Sequence, residues 1–200
     1  MPSAPSRTRA TALPPSERRA EIIAATLPLL LAHGASVTTR QIAEAAGIAE
    51  GTIFRVFPDK ESLIEAAVDS AFDSTASDAA LDAIDRSLPL EPRLVAAVEI
   101  IRRRVADLWQ LRTALGMMQV SSGGPSMTER HRPPDLTPLA ALFVADRDQV
   151  RGEPLEAAHL LRGLTIAGTH PALILDAPLS SAEIVSLFLD GIRNRGEATR

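Results

Sequence analysis

Apolar residues recur along this 200-residue chain at the three- and four-residue spacing of amphipathic helices, and no stretch of useful length alternates as a strand does. Ile23, Leu27, Leu30 and Leu31 mark the inward face of a first helix. Its expected start has Ser16 as N-cap, its expected end is Gly34, and Pro28 should kink it. Thr38 and Gln41 have the spacing of a capping box, which opens a short helix to about Ala46 that buries Ile42 and either Ala43 or Ala46. Gly47 can take the positive φ that breaks it. A second short helix follows over about Glu50–Phe57, and Asp59 caps a longer one with Ile64, Val68, Ala71 and Phe72 inward.

Beyond Ser74 the text is polar and Asp-rich as far as Ser87-Leu88-Pro89. A long helix is expected from Pro92 to about Trp109, burying Leu94, Val98, Ile101, Val105 and Leu108, with a broken continuation to Met118. Residues 119–134 read as a Gly/Pro/Ser loop. Helices over about Thr137–Gln149 and Pro154–Ile174 follow, the second bending before Pro171. Ser180 and Glu183 form another capping box, ahead of Ile184, Val185, Phe188, Leu189 and Ile192. The fold class is all-α.

Composition narrows the function classes. Hydrophobic residues make up 46% of the chain, which excludes global disorder. The absence of cysteine excludes disulfides, thiolate metal sites and a cysteine nucleophile, and is compatible with the cytoplasm. The four histidines, His33, His131, His159 and His170, sit far apart in sequence, so no metal site is expected. Neither a nucleophile elbow nor a phosphate-binding loop is present, so neither an enzyme nor a cofactor is expected. Arg18 and Arg19 ahead of the apolar run Ile22–Ala32 have the outline of a secretory signal, but Glu21 interrupts the flank and the periodicity suits a helix. No run approaches the ~18 apolar residues of a membrane span. Net charge is −4, unevenly spread: residues 1–60 hold seven Lys/Arg against five Asp/Glu, and the rest fourteen against twenty. A mildly basic head on an acidic body can bind nucleic acid locally.

The two short helices carry the functional argument. Helices of about eight residues do not persist in water by themselves, so flanking helices must hold them. Two of them joined by a tight turn make a helix-turn-helix, which presents the second helix to the DNA major groove. Gly51 removes a side chain where DNA would press, and Thr52 and Arg55 can reach phosphate or a base edge. Lys60 can meet a backbone phosphate, while Ile53 and Phe57 form the buried side. Residues 1–15, rich in Pro, Ser and Thr, read as a flexible arm whose Arg7 and Arg9 can reach a groove.

The stretch TTRQIAEAAGIAEGTIFRVFPDKESLIEAAV resembles the DNA-binding segment of the TetR/AcrR family of transcriptional regulators, over about Ala20–Phe72. The coinciding features are the capped first short helix, the Gly47 turn, Gly51-Thr52-Ile53-Phe54, and Phe57-Pro58-Asp59-Lys60-Glu61. The resemblance implies a three-helix DNA-binding domain, here 16–73, and a helical ligand-binding and dimerisation domain, here 74–200, with about nine helices in all. It implies a homodimer through about 154–174 and 181–194, a palindromic double-stranded operator, repression, and release by a small-molecule effector that the sequence does not identify. By position, DNA contacts fall on Thr39, Arg40, Glu50, Gly51, Thr52, Phe54, Arg55 and Lys60. The chain departs from the family pattern at Ala49, where Ser or Thr often caps, at Phe54, where Tyr is common, and at Val56, usually aromatic or His. Those departures leave a second reading, a ligand-binding helical adaptor whose DNA-reading head has weakened.

For the ligand cavity, Trp109, Met117, Met118 and Phe143 are the candidate lining residues, each of which can equally be core. The expected interface faces are Ala158, Leu161, Leu164 and Ala167 on one helix and Ile184, Leu187, Phe188 and Ile192 on the next, with Gly163 and Gly168 allowing close approach. Arg102-Arg103-Arg104 points three ways on one helix and reads as a solvated face.

Overall fold

The computed structural model describes residues 14–116, 135–170, 173 and 177–192. Among them every regular element is a helix or a 3-10 turn: α1 Pro15–His33, α2 Thr39–Ala45, α3 Glu50–Val56, α4 Lys60–Phe72, α5 Thr75–Asp82, α6 Leu90–Ala114, α7 Thr137–Ala141, α8 Pro154–Thr169 and α9 Ser181–Ile192. The chain divides into two compact units. Unit 1 comprises Met1–Ala71 with Ala114–Gly116, and unit 2 comprises Phe72–Thr113 with Met117–Arg200.

In unit 1, α1 packs on α2 and α3, and these two pack on each other. Pro14 rather than Ser16 stands at the start of α1, with Pro15 in its first turn and no side-chain cap. The buried face is Ile22, Thr26 and Leu30: Leu30 is buried as expected, but Ile22 and Thr26, each one position earlier, take the places of Ile23 and Leu27, and Leu31 is exposed. Thr26 tolerates burial because its hydroxyl donates to the carbonyl of Ile22 at 2.7 Å. Pro28 does not interrupt α1. It and Ala24, the residue whose carbonyl it leaves without a donor, are both exposed, so solvent can serve that carbonyl. In α4 the buried residues are Leu63, Ala67 and Val68, again one position from the expected set; Ile64, Ala71 and Phe72 are only partly buried.

Gly34 closes α1 at φ 58° and ψ −145°, a region open to glycine. A Cβ there would lie 2.2 Å from the carbonyl oxygen of Ala114, which belongs to the same unit.

In unit 2 the core is built from one face of α6 (Leu94, Ala97, Val98), from Leu139, Leu142 and Phe143, from Ala157, Ala158 and Leu161 on α8, and from Ile184, Val185, Phe188 and Leu189 on α9. Each large side chain so buried contributes roughly 1.5–3 kcal/mol. The helix α6 starts at Leu90, two residues ahead of expectation, and runs unbroken to Ala114. The span read as merely polar contains α5, which buries Leu81 and packs on α7.

The expected helix over 137–149 is only α7 followed by a 3-10 turn, Val144–Asp146. Beyond Ala141 the backbone bonds become three-residue ones, Leu142 to Leu139 and Phe143 to Ala140. That turn delivers Asp146 to Arg93, which is only 2% exposed and also donates to the carbonyls of Arg86 and Leu88. The helix α8 opens on a capping box of Glu153 and Glu156 and ends at Thr169, short of the expected Ile174. Ser180 caps α9 as expected, its backbone N–H donating to Glu183 at 2.8 Å. Gly168 brings α8 and α9 close, since a Cβ there would meet Ile184 and Leu179 at 3.3 Å.

The three consecutive arginines are not one solvated face. Arg102 reaches Glu99 and Ser181, Arg103 reaches Glu99, and Arg104 donates to the carbonyls of Phe72 and Asp73.

Gly34→Ala is expected to cost at least about 2 kcal/mol, because it combines a forbidden backbone region with a clash against fixed backbone. Urea denaturation checks this; a loss under about 0.5 kcal/mol would mean the turn can rearrange.

Candidate nucleic-acid interface

The head is assembled by local hydrogen bonds. Thr38 accepts from the Gln41 N–H at 3.2 Å, and its own N–H donates to the Gln41 side chain at 2.8 Å, the expected capping box. At the other end of α2, Gly47 takes φ 65°. Ile48 N–H then reaches the carbonyl of Ala43 at 3.0 Å, and Gly47 N–H that of Glu44 at 3.2 Å. This paired closure satisfies the last carbonyls of α2 and turns the chain into α3.

The helix α3 has no side-chain cap, since Ala49 stands at its N-cap. Glu50 occupies its first turn and accepts a hydrogen bond from the Thr39 hydroxyl in the first turn of α2. One side-chain bond thus joins the N-terminal turns of the two short helices. Sequence reasoning assigned both residues to DNA and missed their pairing, which depends on the turn geometry and not on any spacing along the chain.

Ile53 and Phe57 are fully buried, as expected. The opposite side of α3 shows Glu50, Gly51, Phe54 and Arg55 to solvent, with Phe54 51% exposed and Thr52 partly covered. A Cβ on Gly51 would meet nothing within 4 Å, so internal packing does not require glycine there. Arg40 pairs with Glu44 at 3.1 Å while both stay largely exposed, so the pair contributes little and is readily exchanged for another anion. Lys60 lies apart from this group in its bonding: its ammonium donates to the carbonyl of Ala35 at 2.8 Å. Behind α3, the Arg19 guanidinium lies 4.3 Å from the centre of the Phe57 ring.

Asp59 accepts from the Ser62 N–H at 2.7 Å. The Ser62 side chain, then its backbone N–H, holds the Asp59 carboxyl below its ordinary value. The folded pKa being the lower one, the cap acts above the unfolded pKa and is lost as pH falls through the folded one.

In unit 2, Trp109 is partly buried, and its ring meets His170 edge-on with centroids 3.9 Å apart. His170 was not singled out from sequence. Phe143 lies in the core against Phe188 at 5.9 Å. Met117 and Met118 lie outside the described residues. Of the expected interface residues, Ala158, Leu161, Ile184 and Phe188 face their own core. Of the others, Gly163, Ala167 and Leu187 are exposed on the outer sides of α8 and α9, as are Leu160 and Gly191, which were not expected there; Leu160 is 59% and Leu187 56% exposed. Among the described residues no helix is long and apolar enough to cross a membrane.

Residues 22–67 match the family model described as bacterial regulatory proteins, tetR family. No curated protein matches the sequence. Among solved structures, a TetR transcription regulator from Haloarcula marismortui gives a TM-score of 0.63 at 19% sequence identity, covering 90% of this chain and 100% of its own. A TetR-family regulator from Mesorhizobium loti gives 0.58 at 22%, covering 91% and 100%. A TetR transcriptional regulator from Streptomyces coelicolor gives 0.54 at 24%, covering 89% and 99%. At these identities the likeness to solved structures is one of fold.

Thr39→Val and Glu50→Gln are expected to couple by about 0.3–1 kcal/mol in a double-mutant cycle of urea denaturation. Strict additivity would mean the two helices are held by their apolar contacts alone.

Proposed function

We propose that the chain is a DNA-binding transcriptional regulator, a cytoplasmic repressor released by a small molecule; the match of residues 22–67 to the tetR-family model supports this reading. On this reading it binds a palindromic operator as a homodimer, with two recognition helices about one DNA turn, roughly 34 Å, apart. Residues 16–73 form the reading domain and 74–200 the effector and dimerisation domain. The outer stripe of Leu160, Gly163, Ala167, Leu187 and Gly191 supports a symmetric partner surface, being apolar, small-residue-rich and unused by the subunit's own core.

The observation that carries the proposal is Gly51. It sits exposed in the first turn of a helix whose opposite side is buried, at a position where the fold has room for any side chain. A glycine that internal packing does not need is accounted for by an external surface that comes close. Gly51, Thr52, Phe54 and Arg55 then face the groove, while Thr39 and Arg40 meet phosphate from α2. Glu50 acts through Thr39, setting the angle between the helices. Lys60 holds the end of α1 through Ala35 and can exchange that carbonyl for a phosphate.

Selection from a random duplex library should enrich a palindrome, and affinity for it should fall steeply with salt. Gly51→Leu is expected to leave stability unchanged or raise it by up to about 1 kcal/mol, as helix propensity favours leucine. Its operator affinity should fall at least about 100-fold, because the side chain fills the approach; unchanged affinity would move α3 out of the groove. Lys60→Ala should lower the salt slope by about 1 if the lysine meets phosphate. An unchanged slope with reduced stability would assign it to Ala35 alone.

A further inference from the structure

Unit 2 contains a guanidinium for which, among the described residues, no oxygen partner is found. The inward face of α6 carries Leu94, Val98 and Ile101, with Val105 partly buried against the core and Leu111 buried in the last turn; Leu108, expected on that face, is only partly buried, and Arg112 stands beside Leu111. Arg112 is partly buried, and its Nε is buried with no hydrogen-bond partner. The Nε atoms of Arg93 and Arg102 are likewise buried without a partner, but each of the other arginines of α6 reaches an oxygen: Arg93 that of Asp146, Arg102 and Arg103 those of Glu99, Arg104 two carbonyls. Arg112 has, among the described residues, only the Trp109 ring, 5.5 Å away. That ring also meets His170 at the end of α8.

Two turns earlier on both helices, roughly 12 Å along each, Arg162 of α8 lies near Arg104. Burial, and next the charge of Arg104, lower the pKa of Arg162. Asp73 lies beside Arg104, but no described acid pairs with Arg162 or Arg112. The seam between α6 and α8 is therefore short of negative charge where it is partly desolvated. Holding a cation there is unfavourable until an anion arrives. A guanidinium offers paired N–H donors in the geometry of a carboxylate. Trp109 and His170 add flat walls beside it.

We propose that Arg112, Trp109 and His170 form the effector site, and that the effector is a small organic carboxylate whose apolar body lies against Trp109. This rests on the ligand-responsive reading above and names the chemical class it requires. Arg112 holds the carboxylate, and Arg104 and Arg162 bias the seam towards anions.

Trp109 is the sole tryptophan and the chain has no tyrosine, so intrinsic fluorescence reports this site directly. Hexanoate, benzoate and 3-phenylpropionate would each be titrated against their primary amides, with the full-length protein. At least one carboxylate should perturb Trp109 saturably at a concentration about tenfold or more below its amide, the preference expected of a charge-assisted bond. Arg112→Met should abolish that preference with an unchanged circular dichroism spectrum, and Arg112→Gln gives the same comparison if the methionine variant fails to fold. Carboxylates and amides acting alike, or a preference surviving both variants, would overturn the site. Operator affinity, measured separately by anisotropy, should fall when the preferred carboxylate is added. Binding at Trp109 without that fall would overturn its role as effector site. Failure to find any operator would instead remove the regulatory reading, and the fluorescence comparison would still decide whether the anion site exists.

Discussion

Two seven-residue helices cannot persist unless something outside them supplies the free energy of their formation. In unit 1 that source is the burial of Ile42, Ala43, Ile53 and Phe57 beneath α1. Each α3 residue that faces solvent does so because Ile53 and Phe57 are held on the other side. The Gly47 turn and the Thr38 cap fix the helices' ends, and the Thr39–Glu50 bond links their first turns, but the apolar anchor decides that α3 exists at all. The residues proposed to read DNA are thus displayed by residues buried behind them.

Much of this was legible in the sequence because it depends on local rules. The Thr38 and Ser180 capping boxes, the positive φ at Gly47, the glycine end of α1 and the Asp59 cap each depend on residues within a few positions, and each stands where the text put it. The phases of α1 and α4 were partly misread, by one residue, for a common reason. Both carry apolar residues over a wide arc, so periodicity leaves the orientation open and the neighbouring helices decide it. Thr26 carries no apolar signal, yet it is buried because its hydroxyl is satisfied within its own helix. The shortening of α7 was invisible, because it follows from Asp146 meeting Arg93 across 53 positions.

The candidate sites divide in the same way. The exposed side of α3 could be read from sequence, since it is the complement of Ile53 and Phe57. The Thr39–Glu50 bond and the meeting of Trp109 with His170 could not, because each joins residues whose proximity is created by a turn or a helix crossing. Arg112 was hidden for a different reason. Its place beside Leu111 is readable, but a charged residue at the end of a helix ordinarily turns to solvent, and only the packed structure shows that its Nε does not.

Gly168 sets a dimension that reaches further than its own contacts. With no side chain it lets Ile184 and Leu179 settle against the backbone of α8, and so fixes the separation of α8 and α9 from within. The outward stripe that includes Leu160, Ala167 and Leu187 inherits its width from that separation. Variation at this hidden position would thus change the spacing of the outward residues while leaving each of them the same, so the chemistry of that face and its shape can drift independently.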